Sequence, residues 1–398
     1  MNQQNKAVMA KFSVLKGSMS KLTPMRMATL RCAGQCTCRC CKRVHEPSWR
    51  DKYLFIPPTP TLQEETMNEL VSLKSPISVN FEVTPVCDLA CEFCFNAEME
   101  CKKLSHPPLK RVMSILDKLA EAEVFEVRLF GGEFFVYPYW REVLEYADEQ
   151  DFFLSFVSNG THINARVVEK LVAHRVIGGA ISLHGTKEIH ESITKVAGSF
   201  NAAVNGIRAC VENNIDISVL YTLTKKNYQS IFETCQWLKI NGVEIDEINV
   251  GRLTPYGRAK SDWEQVKLSL RDYLSVFPQL ERIRNELGIL ASFGDAFPLC
   301  IVPAKYHDYV IGCWQGTGFG HIDHLGNVRS CSIAKGSYGN ILETLLTEIW
   351  VERLAHFRSL KWLPAKCQAC DNFCGGGCSA SHYDGGMYAS DEFIQERK

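Results

Sequence analysis

From residue 77 onward, β-type runs alternate with helix-type runs, and no other feature of the chain limits its fold as tightly. The runs ISVNFEVT (77–84), FEVRLF (125–130), FFLSFVS (152–158), GGAISLH (178–184), DISVLYTLT (216–224) and EINVGRL (247–253) read as strands. Helical spacing separates them: Val112, Ile115, Leu116 and Leu119 share one face of 108–121, and Val204, Ile207 and Val211 one face of 200–213. Strands alternating with helices form parallel sheets. Six such units predict an α/β fold, a partial (β/α)6 TIM-like barrel with its chemistry in the loops after the strands. Beyond about residue 290 the pattern gives way to Gly, Cys and short turns, which predicts a small Cys-rich iron–sulfur domain held by ligation more than by a core. The expected division is 1–75, 76–290 and 291–398.

The 44 basic and 45 acidic residues nearly cancel, so no global field favours nucleic acid or an anionic membrane. No apolar run is long enough for a transmembrane helix, and the N-terminus lacks the apolar core of a secretory signal. A soluble, cytoplasmic chain is expected. Residues 1–45 carry nine Lys/Arg and no acid, with Cys32, Cys36, Cys38, Cys40 and Cys41 bunched among them. This basic extension reads as a flexible tail, an organellar presequence or a metal- or partner-binding arm. Pro47, Pro57, Pro58 and Pro60 stiffen the linker behind it.

The chain has 18 cysteines, grouped rather than scattered, in what reads as a reducing compartment. That pattern points to metal rather than to disulfides. Cys87, Cys91 and Cys94 follow the first strand as C-x3-C-x2-C. Three thiolates on a four-iron cube leave one iron open to a non-protein ligand, unlike a cluster built only for electron transfer. Zinc is the rival reading, although it favours four ligands in paired C-x2-C units; Cys101 reads as incidental. The second strand ends in Gly131, Gly132 and Glu133, where paired glycines admit close backbone approach and the carboxylate could hold an ammonium group.

These two motifs, in this strand order, resemble the radical S-adenosylmethionine (SAM) superfamily over about residues 77–285. The resemblance implies a [4Fe–4S] cluster on Cys87, Cys91 and Cys94 whose open iron chelates SAM, with Gly131, Gly132 and Glu133 at the SAM amine and Phe93 near adenine. It also places Ser158, Asn159, Ser182 and His184 near the ribose or methionine moiety. Against this, Ser158 and Asn159 read equally as helix caps, and His184 as a core histidine. Arg252, with Tyr256 and Arg258, is placed at the barrel mouth, in contact with substrate or SAM, the alternative being a surface turn. Where the family usually has Pro after the glutamate, this chain has Phe134. The implied chemistry is one-electron cleavage of SAM to methionine and a 5′-deoxyadenosyl radical that takes a hydrogen atom from substrate.

Further on stand Cys300, Cys313, Cys331, Cys367, Cys370, Cys374 and Cys378, the last four in CQACDNFCGGGC. Read alone, they suit cluster ligation or a zinc ribbon. They resemble the SPASM extension, which implies one or two auxiliary [4Fe–4S] clusters. Cys313, Cys331 and Cys378, with Cys300 as fourth, would hold one; Cys367, Cys370 and Cys374 would hold the other. The chain departs from that pattern in the short gap before Cys374 and in having no cysteine after Cys378. The second cluster is then absent, open, or completed by Asp371, His382 or Asp384. Cys210 and Cys235, in helical runs, read as core.

The leading expectation is oxidative maturation of a peptide or protein substrate, by crosslink, thioether or a related change. A separate leader-binding carrier is implied because 1–75 has no strand–helix pattern for one, and a donor such as flavodoxin or ferredoxin would supply electrons. The alternative is tetrapyrrole side-chain modification in haem or haem d1 synthesis. A non-enzymatic iron–sulfur carrier or zinc scaffold is the third reading; the missing fourth cysteine of the first cluster and the glycine pair argue against it.

Overall fold

The computed structural model describes residues 73–96, 104–174, 176–334, 336–359, 362–370, 374–381 and 391–395. The N-terminal cysteines, Cys101, Asp371, His382 and Asp384 lie outside the described residues. Seven parallel strands follow one another in space as in sequence: β1 (Ser78–Thr84), β2 (Glu126–Gly131), β3 (Phe153–Ser158), β4 (Val176–Ser182), β5 (Ile217–Thr222), β6 (Glu247–Gly251) and β7 (Leu290–Phe293). Helices α1 (Leu109–Glu121), α2 (Trp140–Glu149), α3 (Ala165–Ala173), α4 (Lys187–Thr194), α5 (Ser199–Glu212) and α6 (Ile231–Ile240) connect them. All six strands read from the sequence are present.

The two faces of the sheet differ, and the strand period of two is the cause. On β1, Val79, Phe81 and Val83 are fully buried in the same core as Val112, Ile115, Leu116 and Leu119 of α1. Cys210 and Cys235 are fully buried in that core too. The alternate residues form an inner face that is polar and half-buried: Asn80, Arg128, Ser218, Thr222, Glu247, Asn249 and Ser292. Hydrogen bonds knit it sideways, as in Asn249 to Ser218 (2.7 Å) and Ser292 to Asn249 (3.0 Å). Parallel sheets usually bury both faces under apolar side chains. Here one face is left as a wet, hydrogen-bonding lumen.

The sheet also extends past the six expected strands. β7 has only four residues and so no readable period. More consequential is β8 (Phe319–Ile322), from the Cys-rich region, which pairs parallel to the free side of β1; β9 (Val328–Arg329) then pairs antiparallel to β8. The Cys-rich region is thus continuous with the barrel sheet. A polar tie reinforces the junction: Glu82 of β1, 2% exposed, meets His324 Nδ1 at 3.0 Å and His321 Nε2 at 3.7 Å. Burial alone would raise the Glu82 carboxyl, but the hydrogen bonds and charges of His321 and His324 overcome it and hold it at about 2.

A folded-state value below the unfolded one gives stability that is present above about pH 4.5 and is lost as pH falls towards 2. For Glu82 this amounts to about 3 kcal/mol. Acid titration of cluster-free chain, followed by circular dichroism, is therefore expected to give a shallower acid limb for Glu82→Gln than for wild type.

Candidate active site

The loop after β1 presents Cys87, Cys91 and Cys94, all half-buried and none in a disulfide. Five neighbours fix its path. Ala90 and Glu92 donate backbone N–H groups to Thr194 O (3.1 Å) and Ile193 O (3.0 Å) at the end of α4. Glu92 pairs with Lys195 at 3.1 Å and Lys226 at 2.5 Å. The Arg258 N–H donates to Cys94 O (3.1 Å), and the Arg258 guanidinium to Cys91 O (3.1 Å). This last contact needs the residue before it to be glycine. Gly257 sits at φ +59, and a Cβ there would lie 2.0 Å from Cys94 O.

The donor set fits an iron–sulfur group. Burial raises the Cys87 thiol and pushes Cys91 up to about 12, so these two stay neutral until a cation is supplied. The Leu89 N–H already points at the Cys87 sulfur, at 3.4 Å. Among the described residues no three Cys, His, Asp or Glu side chains converge on one single-ion point. Separate thiols suit a group that offers a separate iron to each.

Gly131, Gly132 and Glu133 meet this loop from β2, and in a way the sequence did not reveal. Gly132 N–H donates to Thr84 O (2.6 Å) and Glu133 N–H to Val86 O (2.8 Å). A Cβ on Gly132 would sit 2.3 Å from Val86 O. The glycine pair therefore admits the cysteine loop's own backbone. The Glu133 carboxylate, read as an ammonium holder, turns inward instead. It is 1% exposed and accepts from Ser158 Oγ (2.9 Å), Asn159 N (2.7 Å) and Phe135 N (3.1 Å). Burial lifts it to about 7 against the pull of those donors. Phe134, standing in the usual proline position, is fully buried in the core.

Ser158 and Asn159 serve this network and not a helix cap, since Asn164 caps α3. The Asn159 side chain donates to Asp88 Oδ1 at 2.7 Å, and Thr161 and His162 also engage Asp88, at 2.7 and 3.2 Å. Asp88 was missed in the sequence, although its position directly behind Cys87 was a usable signal. Phe93 packs edge-on against His184, with centroids 4.7 Å apart. Burial, and then the neighbouring His190, lowers His184 well below the usual imidazole range, so it stays neutral. Its Nδ1 accepts from Thr222 N (3.2 Å), tying β4 to β5. Ser182 ends β4 on the half-buried inner face.

Arg252 departs from its expected role at the SAM site. It is 4% exposed and bonded to Asp391, to Ala296 O (3.1 Å) and to Glu392 (3.4 Å). The ring of Phe297 lies 4.6 Å from its guanidinium, and that of Phe393 lies 5.1 Å away. It clamps the C-terminal segment, because a buried guanidinium requires a carboxylate and Asp391 is the one supplied.

The later cysteines form two sets. Cys313 lies within electrostatic reach of both Cys331 and Cys378, and all three share the neighbour Asp295. Cys367 and Cys374 lie within reach of Cys370 and also of Cys300. Cys300 was expected with Cys313; in the structure it neighbours Cys367 and Cys374, one residue after Leu299 in the turn Leu299–Ile301. Tyr256 joins the two regions. Cys378 and Cys331 raise its hydroxyl, after burial, while the next two residues lie on the Cys94 loop.

The Radical SAM superfamily profile matches residues 81–238, the stretch from β1 to α6 that builds this loop and its supports. Residues 81–238 thus form a radical SAM domain. This makes the chain an enzyme and implies a [4Fe–4S] cluster and SAM. Among curated proteins it is 26% identical to mycofactocin maturase MftC of Mycobacterium ulcerans (strain Agy99), over 79% of this chain and 86% of that one. It is 25% identical to AdoMet-dependent heme synthase of Methanosarcina barkeri (strain Fusaro / DSM 804), over 81% and 95%. The fold is also that of Streptococcus suis SuiB bound to S-adenosylmethionine: TM-score 0.64 and 19% identity, covering 83% of this chain and 79% of SuiB. Among the described residues, no helix of this radical SAM enzyme is long and apolar enough to cross a membrane.

Proposed function

We propose that this radical SAM enzyme matures a peptide or protein substrate oxidatively, with the substrate entering the polar lumen beneath the Cys87–Cys94 loop. The observation that carries the reading is the half-buried hydrogen-bonding inner face, next to a loop of three cysteine thiols and joined through Tyr256 to a further cysteine set. The maturase among the relatives supports it. When bound, the cluster and SAM supply one-electron cleavage of SAM and hydrogen-atom abstraction.

The chain's own residues do the holding. Cys87, Cys91 and Cys94 ligate the cluster. Gly131 and Gly132 keep the second strand's end on the cysteine loop, and Glu133, Ser158, Asn159 and Asp88 fix that loop from β3. Phe93 and neutral His184 form an apolar wall for the adenine side, with Ser182 beside them. In this reading 76–290 is the catalytic barrel and 291–398 holds one or two auxiliary [4Fe–4S] clusters on Cys300, Cys313, Cys331, Cys367, Cys370, Cys374 and Cys378. An external donor such as flavodoxin or ferredoxin, in a cytoplasmic setting, provides the electron, and a separate carrier presents the substrate's leader.

Changing Cys87, Cys91 and Cys94 together to Ala is expected to remove about four irons per chain and all 5′-deoxyadenosine release, with helix content unchanged. Iron and sulfide assays on anaerobic protein, with chromatography of SAM products, check this. In the unmodified enzyme, release that rises with a short peptide encoded beside the gene supports peptide maturation. A rise with a tetrapyrrole instead, as the heme synthase likeness would have it, overturns the substrate assignment.

A further inference from the structure

We propose that Arg128 binds a carboxylate of the substrate, through the edge of its guanidinium that the barrel lumen leaves open. The proposal rests on the peptide-maturation reading above and adds which chemical group of that substrate the lumen selects.

The charged groups of the inner face set Arg128 apart. The inner positions of β1–β7 hold three carboxylates, Glu82, Glu126 and Glu247, and one guanidinium, that of Arg128. Each carboxylate has its partner. His324 meets Glu82 at 3.0 Å, and Ser155 donates to Glu126 at 2.7 Å. On the opposite wall Ser292 donates to Asn249, Asn249 to Ser218, and Ser218 to Glu247 at 3.3 Å, so that wall is satisfied within itself.

Arg128 is less well served. Its Nε reaches Ser155 Oγ at 3.3 Å and its Nη2 reaches Glu126 Oε1 at 3.5 Å, both long for a charged donor. Glu126 and Ser155 hold each other more closely than either holds the arginine. Among the described residues Nη1 has no hydrogen-bond partner. The Arg128 side chain is 40% exposed, against 13% for Glu126. A guanidinium presents its N–H donors in one plane and takes a carboxylate bidentately. The open edge has that form.

Position gives the edge its use. Arg128 pairs with Asn80 of β1 on one side and Ser155 of β3 on the other, three residues before Gly131. It therefore stands about 10 Å below the strand end that meets the cysteine loop. With carboxylates as the other charges of the face, a substrate acid is repelled everywhere but here. A single anchor then sets how far the substrate enters. The acid is a side-chain carboxylate or the free C-terminus of the peptide, since both offer the same two oxygens.

Two measurements on the full, iron-loaded chain test this. The first needs no substrate: phenylglyoxal labelling of arginines, mapped by mass spectrometry, in the presence of glutarate or of glutaramide. Glutarate should slow labelling of Arg128 at least about twofold, the effect of half occupancy. Glutaramide should not, and exposed Arg141 should respond to neither. Absence of labelling at Arg128, absence of protection, or equal protection by both compounds or at Arg141 overturns the proposal.

The second uses the short peptide encoded beside the gene, with each acidic residue changed to its amide and, separately, with a C-terminal carboxamide. One of these forms should raise the half-saturating concentration for 5′-deoxyadenosine release about tenfold, the size of a charge-assisted contact, and which one tells a side chain from the C-terminus. Arg128→Gln should impose the same rise on the unaltered peptide and none on that form, with Arg128→Lys in between. If Arg128 only neutralises Glu126, adding Glu126→Gln to Arg128→Gln restores half-saturation; the proposal expects no restoration. Costs that add, or that fall on kcat alone, refute it. Should Arg128→Gln fail circular dichroism, the labelling decides. Protection by glutarate without any response to peptide leaves the guanidinium site standing and removes the peptide reading. Response to peptide without protection does the reverse.

Discussion

Gly132→Ala is expected to strip the enzyme of its barrel iron while the auxiliary iron stays. The added methyl group would need the space held by Val86 O, 2.3 Å away, and by Pro85 O, 2.6 Å away. Both are backbone atoms, so no rotamer change relieves the clash. Relief requires the cysteine loop and the end of β2 to part, which breaks the Gly132–Thr84 and Glu133–Val86 hydrogen bonds and moves Cys87, one residue beyond Val86. The sheet below is held by Val79, Phe81, Val127 and Leu129 and has no reason to follow. Iron should fall by about four per chain, and 5′-deoxyadenosine release at least a hundredfold, on the order of what a misplaced catalytic group costs. Near-wild-type iron in Gly132→Ala would mean that the loop tolerates the shift.

Asp391→Ala is the second large effect. It removes the partner of a guanidinium buried among Phe297, Phe393 and Tyr273, and leaves the Cys378 and Phe393 N–H groups without their acceptor (2.8 and 3.1 Å). Breaking a buried ion pair from one side costs about 3–5 kcal/mol. Asp391→Asn, which keeps an acceptor, should cost less. Denaturant melts of the two variants measure the difference. Because Cys378 hangs on the same carboxylate, iron at the Cys313–Cys331–Cys378 set should fall in Asp391→Ala before iron at the barrel does.

The sequence exposed what repeats and hid what is made by distant pairing. Six strands were legible because each carries enough alternating apolar residues to state a period. β7 and β8, with four residues each, do not. The cysteine triad and the glycine pair were legible as local spacing, and all lie where one loop meets one strand end. What those residues bond to was not legible. Glu133 finds Ser158 and Asn159 about one strand–helix unit away, and Arg252 finds Asp391 across 139 positions. Local chemistry made both look like ligand contacts, since an acid at a strand end and an arginine at a barrel mouth have the same appearance whether they face solvent or fold inward. Cys300 is a similar case: proximity in sequence favoured Cys313, and its nearness to Cys374 comes from the turn at Leu299–Ile301.

The pairing of β8 with β1 also bears on how the chain is made. β1 leaves the ribosome first among the strands, and helices and neighbours cover it within a few elements. Its outer edge, however, has no partner until Phe319–Ile322 emerges. Through synthesis of everything between, a row of peptide groups on a strand with one apolar face stands open to other nascent chains, with three thiols just beyond its end. A chaperone or early cofactor loading would find its target there. For the same reason a fragment cut at residue 290 would carry that edge permanently and is a poor choice for expression: the strand that covers β1 is encoded in the region that looks, in sequence, like a separate domain.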